Sequence, residues 1–292
     1  MGWLSWGTAN KAEVAVAAAA GIGAGAALAL AAARLASRRG LGKSVAPAPV
    51  WGAAPHPEWT PPQRMDAPAA IANGKMIAID PRKIGGKRCY PLIISAVVPR
   101  PVAFVSTTSR SGAQNLAPFS YFTAFHDPPH VVLCICRSAV RQGGKKDTMQ
   151  NIDDTGEFTV NVLSEWFLEA ANHTCGNYDA DVDELKLSGL TPVPSTKVKP
   201  PRIAESAVHM ECKLKHKYEV KGYGREDTTT VVIGEVVMFH VNEAVAAKTP
   251  SGSTYVALDP LQPISRLGGN IYGRSKECFD LPRPDRDWAN RK

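Results

Sequence analysis

The chain has 292 residues, 44% of them hydrophobic, enough for one sizeable core with extensions. Its net charge of +7 does not make it a nucleic-acid binder. Residues 1–45 hold Lys11, Arg34, Arg38, Arg39 and Lys43 against Glu13 alone, so four of the seven charges sit there, and no Lys/Arg stripe interleaved with aromatics follows. Six cysteines form no CxxC pair and are too few for a disulfide framework in a chain of this length.

From its start, the chain runs through Val14 to Ala33, twenty uncharged residues of which twelve are alanine. As a helix this stretch would span about 30 Å, the thickness of a hydrocarbon core. The Arg34, Arg38, Arg39 and Lys43 cluster behind it favours a cytosolic C-terminal part. The expectation is therefore a membrane-anchored protein, anchored through residues 14–33, with a cytosolic catalytic domain. The alternative is a mitochondrial or other organelle location after cleavage of this Ala- and Arg-rich segment. Gly21, Gly23 and Ala26 imitate a dinucleotide fingerprint, but no acid follows at the required distance and a Pro-rich stretch takes the place of the second strand. Seven prolines between Pro47 and Pro68 mark residues 46–75 as a linker.

After the linker the pattern changes to short apolar runs of period two broken by Gly and Pro, the mark of an antiparallel barrel or sandwich. Strands are predicted over Pro101 to Thr108, Val131 to Cys136 and Glu157 to Val162, with a turn around Gly112. The alternation in Val208 to Val220 puts Met210, Cys212, Leu214, His216 and Tyr218 on one face, toward the core. His209, Glu211, Lys213, Lys215 and Lys217 take the wet face. Gly222 to Thr228 reads as a loop, Thr229 to Val241 as the partner strand, and Ser164 as the cap of a short helix through Asn172.

Three segments bring small, hydroxyl-bearing and backbone-exposing residues together: Ser106 to Ser109, Asn115 to Ser120, and Lys145 to Thr148 followed by Asn151. A phosphate wants backbone N–H donors, hydroxyls and a cation, and the third segment offers all of them at an expected helix start. Extended backbone with small residues such as Ala117 suits the flat approach of a ring.

Arg100-Pro101, Ser106-Thr107, Asn115 to Ser120, Asp127-Pro128-Pro129, Lys146-Asp147-Thr148, Asn151-Ile152 and Glu157-Phe158 come in an order and spacing that resembles the flavin-reductase-like domain family. Gly189-Leu190-Thr191, Pro201 to Ser206, Glu211-Cys212, Ile233 to Val236, and Arg266 to Gly269 with Tyr272 continue it. The resemblance implies a mainly β fold, an FMN-binding split β-barrel with a few short helices, over residues 76–274, with 275–292 as a C-terminal tail. It also implies a homodimer with FMN near the interface, NADH or NADPH as co-substrate, and a partner monooxygenase. At matching positions Ser106, Thr107 and Thr108 would line the cofactor. Asn115, Ala117, Pro118 and Ser120 would meet its ring and ribityl chain, Lys146, Asp147 and Thr148 its phosphate, and Tyr272 the nicotinamide or interface side.

Such chemistry passes hydride from nicotinamide to flavin, so no catalytic side chain is expected. A competing reading keeps the barrel as a non-catalytic FMN-binding or scaffolding module. No metal site is expected, because the histidines form no HxH or HExxH pair. Asp179, Asp181, Asp183 and Glu184 lack the glycine and terminal Glu of a calcium loop and read as a solvated loop. Cys134 and Cys136 share a face of one strand and read as reduced thiols.

Overall fold

The computed structural model describes residues 49–138, 141–176, 178 and 182–283. The elements that build the site are, in chain order, helix α1 (Gly86–Ala96) and strands β1 (Ala103–Thr108), β2 (Gln114–Phe119), β3 (Phe122–His126) and β4 (Pro129–Cys136). Helix α2 (Asp147–Thr155), strand β5 (Glu157–Val162) and helices α3 (Leu168–His173) and α4 (Glu184–Ser188) follow. Strands β6 (Val208–Gly222), β7 (Arg225–Val241), β8 (Ile264–Gly268) and β9 (Ile271–Arg274) complete the set.

Seven strands form one antiparallel sheet in the order β2-β1-β5-β6-β7-β4-β3. The two-residue link Ser120-Tyr121 joins its outermost strands, so the sheet curls on itself, as the resemblance implied. Alternation sorts the side chains. Ala103 and Val105 of β1, Phe119 of β2, Leu133 and Ile135 of β4, Phe158 and Val160 of β5 and Cys212 of β6 fill the inner core, with Met149 and Ile152 of α2 packed among them. On the other face Phe104, Leu116, Leu163, Phe167, Ala171, Leu185 and Ile203 form a second cluster beneath α3 and α4. Gly234 of β7 is required by the first core: a Cβ there would come within 2.3 Å of the Phe158 ring. Gly156, at φ 68°, closes α2 in the left-handed conformation and its N–H bonds the Ile152 carbonyl.

Where the structure differs from the expected elements, the reasons are local. The expected loop Gly222 to Thr228 is mostly strand, because β6 and β7 extend to Gly222 and Arg225 and turn tightly at Tyr223-Gly224. The expected core face of β6 holds only as far as Leu214. A register shift follows, and His216 and Tyr218 are exposed. The expected wet face begins with His209 and Glu211, both buried. Ser164 makes no capping bond. It pairs in a bridge with Pro263, and a 3-10 turn, Glu165–Phe167, precedes α3. Within the expected linker and tail, Val50–Gly52 pairs in parallel with Glu277–Phe279.

The expected membrane anchoring is corrected. Among the described residues no helix is long and apolar enough to cross a membrane. The run Val14 to Ala33, with its imitation fingerprint, lies outside the described residues. Its composition is a weak basis for insertion, since only Val14, Val16, Ile22, Leu28 and Leu30 are strongly apolar.

Candidate functional site

A cleft of about 250 Å³ opens where the N-terminus of α2 meets β2. Six of the sequence-derived residues line it: Asn115, Ala117 and Pro118 from the strand, and Lys146, Asp147 and Thr148 from the helix start. The turn at Gly143 and Gly144, both at φ 72°, brings the chain back so that α2 begins beside the strand. Lys146 is the N-cap residue and contributes no side-chain cap, so nothing from that position closes off the first-turn amides. Its ammonium lies 5.6 Å from the centre of the Phe119 ring. Asp147 is paired with Arg141, which also faces the cleft.

The floor is a closed polar network. Thr107 and Asn115 sit opposite each other across β1 and β2. Asn115 Nδ2 donates to Thr148 Oγ1 at 2.9 Å and to Thr107 Oγ1 at 3.4 Å, and Asn151 Nδ2 donates to Thr107 Oγ1 at 3.0 Å. All four side chains are buried. Buried polar groups persist when paired, and this one set ties two strands to one helix.

The other expected site residues lie elsewhere. Ser106 points to the opposite face of β1, where its hydroxyl donates to the Pro201 carbonyl. Thr108 Oγ1 is buried without a hydrogen-bond partner among the described residues, and Thr108 does not line the cleft. Ser120 stands at the bend after β2, also outside the lining. Tyr272 lies under the Arg266 guanidinium, 4.4 Å from it, and its hydroxyl donates to Asn172 Oδ1 at 2.7 Å.

Sequence reasoning missed the second wall, made of Thr174, Cys175, Gly176 and Tyr178 after α3, together with Ser138, Arg141 and Glu184. Glu184 does not lie in the solvated loop expected for it. In the structure it opens α4 and is buried, and burial, opposed in part by an N–H of its own backbone, pushes its carboxyl above the usual range. Asp183 caps α4 by accepting from the Lys186 N–H at 3.0 Å, while Asp179 and Asp181 lie outside the described residues. Among the described residues no group of His, Cys, Asp and Glu could hold a metal ion.

The residues present fit a phosphorylated ring cofactor. An N-terminus without a side-chain cap, one ammonium and a threonine hydroxyl suit the phosphate, and the small Ala117-Pro118 stretch leaves room for a flat group.

Comparison with known proteins points the same way. Residues 95–258 match the flavin reductase like domain. An uncharacterised protein of Halalkalibacterium halodurans is 37% identical over 207 residues, which is 70% of this chain and 96% of that protein. The crystal structure of nitrilotriacetate monooxygenase component B from Bacillus cereus is 34% identical with a TM-score of 0.66, covering 72% of this chain and all of that one. The 2-nitrobenzoate 2-nitroreductase of Pseudomonas fluorescens is 28% identical with a TM-score of 0.61, over 71% of this chain and 96% of the other. With the split barrel and its cleft, these matches show that the chain belongs to the flavin reductase like domain family of oxidoreductases.

Proposed function

We propose that the protein is an FMN-dependent flavin oxidoreductase that takes hydride from NADH or NADPH, works as a homodimer and supplies reduced flavin to a partner oxygenase. The observation that carries this reading is the convergence of the β2 segment Asn115 to Pro118 with the side-chain-uncapped start of α2 in one cleft.

When bound, the flavin would supply the hydride-accepting centre. The chain supplies alignment and charge. Lys146 and the first-turn amides of α2 would hold the phosphate of FMN. Thr148 and Asn115 would meet its polar atoms, and Ala117 and Pro118 would let the ring lie close to the strand.

Two further observations support the finer parts. The cleft is smaller than the roughly 300–1,000 Å³ of a typical cofactor pocket, so one protomer would hold the phosphate end and a second copy would cover the rest. Tyr90, Leu92, Ile93 and Val97 on and just after α1 are exposed and offer apolar surface for such a contact. The oxygenase partner is suggested by the likeness to component B of a monooxygenase.

The test is a visible spectrum of the full-length protein purified with FMN, followed by anaerobic NADH and then NADPH. Retained yellow colour, bleached by one of the nicotinamides, is the expected result. A protein that stays colourless and leaves both nicotinamides unoxidised overturns the reading. Sedimentation of the same sample decides the dimer.

A further inference from the structure

The second wall of the cleft carries a carboxyl that no side chain holds. Glu184, the first residue of α4, lines the cleft and is 7% exposed. Among the described residues no cation and no side-chain donor pairs with it. The charged groups that act on it are Asp147 at the start of α2, Arg141 from the turn before that helix, and Asp183, its neighbour on the chain. Arg141 is committed to Asp147, and Asp183 caps α4 and pairs with Lys186. Lys146 completes the charged lining.

The charges of that lining decide what an arriving anion meets. Lys146 and Arg141 bring two positive charges, and Asp147 and an ionised Glu184 bring two negative ones. A phosphate monoester adds nearly two more negative charges at neutral pH, since its second pKa is about 6. With Glu184 ionised, the phosphate would share a cleft of about 250 Å³ with an unpaired carboxylate withdrawn from water, where like charges are poorly screened. One proton removes the conflict. A neutral Glu184 leaves the lining with a net positive charge and turns an acceptor into an O–H donor for a phosphate oxygen. Burial, with Asp147 adding to it, already favours that neutral form against the N–H of its own backbone and Arg141. Asp147 has its own cation and no such need.

We propose that Glu184 takes up one proton from solvent when the phosphate end of the flavin enters the cleft, so that FMN binding and proton uptake are a single event. This rests on the flavin reading above and names the group that couples the site to pH.

The bound form then holds a proton that the free form has lost, so affinity rises as pH falls. The experiment titrates full-length wild type and Glu184→Gln by fluorescence quenching between about pH 5 and pH 8, with FMN and with riboflavin, which lacks the phosphate. The titration of the FMN phosphate itself is common to both proteins and cancels in the ratio of their affinities. Glu184→Gln, neutral throughout, is expected to match wild type at about pH 5 and to bind FMN about tenfold more tightly at about pH 8. For riboflavin the ratio should not change with pH. Calorimetry of wild type with FMN at about pH 7, in two buffers of different ionisation enthalpy, should show proton uptake that Glu184→Gln lacks.

A constant ratio for FMN, or one that changes equally for FMN and riboflavin, overturns the inference and leaves the flavin reading standing. If wild type binds neither flavin, the reading fails first and the inference with it. Where Glu184→Gln does not fold, the wild-type calorimetry decides: uptake with FMN and none with riboflavin supports the inference, and no uptake, or equal uptake with both, overturns it.

Discussion

Ser106 and Thr107 are neighbours on one strand, and the two faces they serve behave differently. On the Thr107 side, the buried hydroxyls and amides of Thr107, Asn115, Thr148 and Asn151 pair among themselves. On the Ser106 side, buried polar groups bind the segment that crosses the sheet. Ser106 donates to the Pro201 carbonyl and Thr159 to the Pro200 carbonyl, and Asn161 accepts from the Ile203 N–H. Glu211, fully buried, accepts from the N–H groups of Thr196 and Lys197 and from His240. One face uses its hydrogen bonds to hold the crossing segment, and the other ties two strands to the helix whose start borders the cleft. Equally buried polar residues on one strand therefore need not share a role.

The largest expected effect breaks the holding face. Burial raises the Glu211 carboxyl, but the Thr196 and Lys197 amides and His240 outweigh it and keep the group below the usual carboxylate range. Glu211→Ala strands two buried N–H groups and an imidazole, and should cost about 3–5 kcal/mol in urea unfolding. FMN affinity of the folded fraction should not change. A comparable loss of affinity would show that the two faces are not separate.

The same face should respond to pH. His209 donates through Nδ1 to Asn161 at 2.8 Å, and burial, with Arg202 and His240 nearby, pushes its pKa down to about 4 against the opposing Ser206 carbonyl and Glu211. Between about pH 6.5 and 4 the unfolded chain binds a proton there that the folded chain does not, so stability rises with pH across that window. Glu211 adds a term of the same sign lower down, present above its unfolded pKa and lost as pH falls through its depressed folded value. Urea midpoints at several pH values should show a slope worth on the order of 2–3 kcal/mol over the His209 window. His209→Gln should flatten it, and an unchanged slope would remove His209 as its source.

On the ligand face the expected effect is smaller and of another kind. Lys146→Ala removes the cation at the start of α2 and should weaken FMN about tenfold with little change in unfolding temperature, since the ammonium rests against the Phe119 ring and is not buried in the core. Equal FMN binding by this variant would move the phosphate away from α2.

How much of this was legible depended on whether a signal was local. Glu157 to Val162 ends where the alternation ends, and Asn115 and Lys146 to Thr148 stood out because hydroxyls, amides and a cation interrupt an apolar pattern. The face each residue takes was implied by period two, which separates Ser106 from Thr107 once the core face of β1 is known. Arg141, Thr174 and Glu184 were not legible, because loops bring them to the cleft and nothing in their own neighbourhoods encodes that approach. The β6 pattern misled for a physical reason: a polar residue at a core-side register position reads as solvent-facing unless the segment that covers it, here Thr196 to Ile203, is known.

The smallest effect tests whether the two regions are coupled through the long hairpin. Asp153 of α2 receives Lys145 at 2.6 Å and Lys217 of β6 at 2.7 Å. Burial raises its pKa, and these two lysines more than reverse it. Both lysines are about two-fifths exposed, so screening keeps the pair weak: Asp153→Asn should cost less than about 1 kcal/mol and lose part of even that in high salt. The clamp nevertheless joins the middle of β6 to the helix whose first turn forms the cleft. If α2 is already fixed by Met149 and Ile152 in the barrel core, FMN affinity in Asp153→Asn should equal that of wild type. A loss of affinity larger than the loss of stability would mean that the hairpin, and not the core, sets where the start of α2 stands.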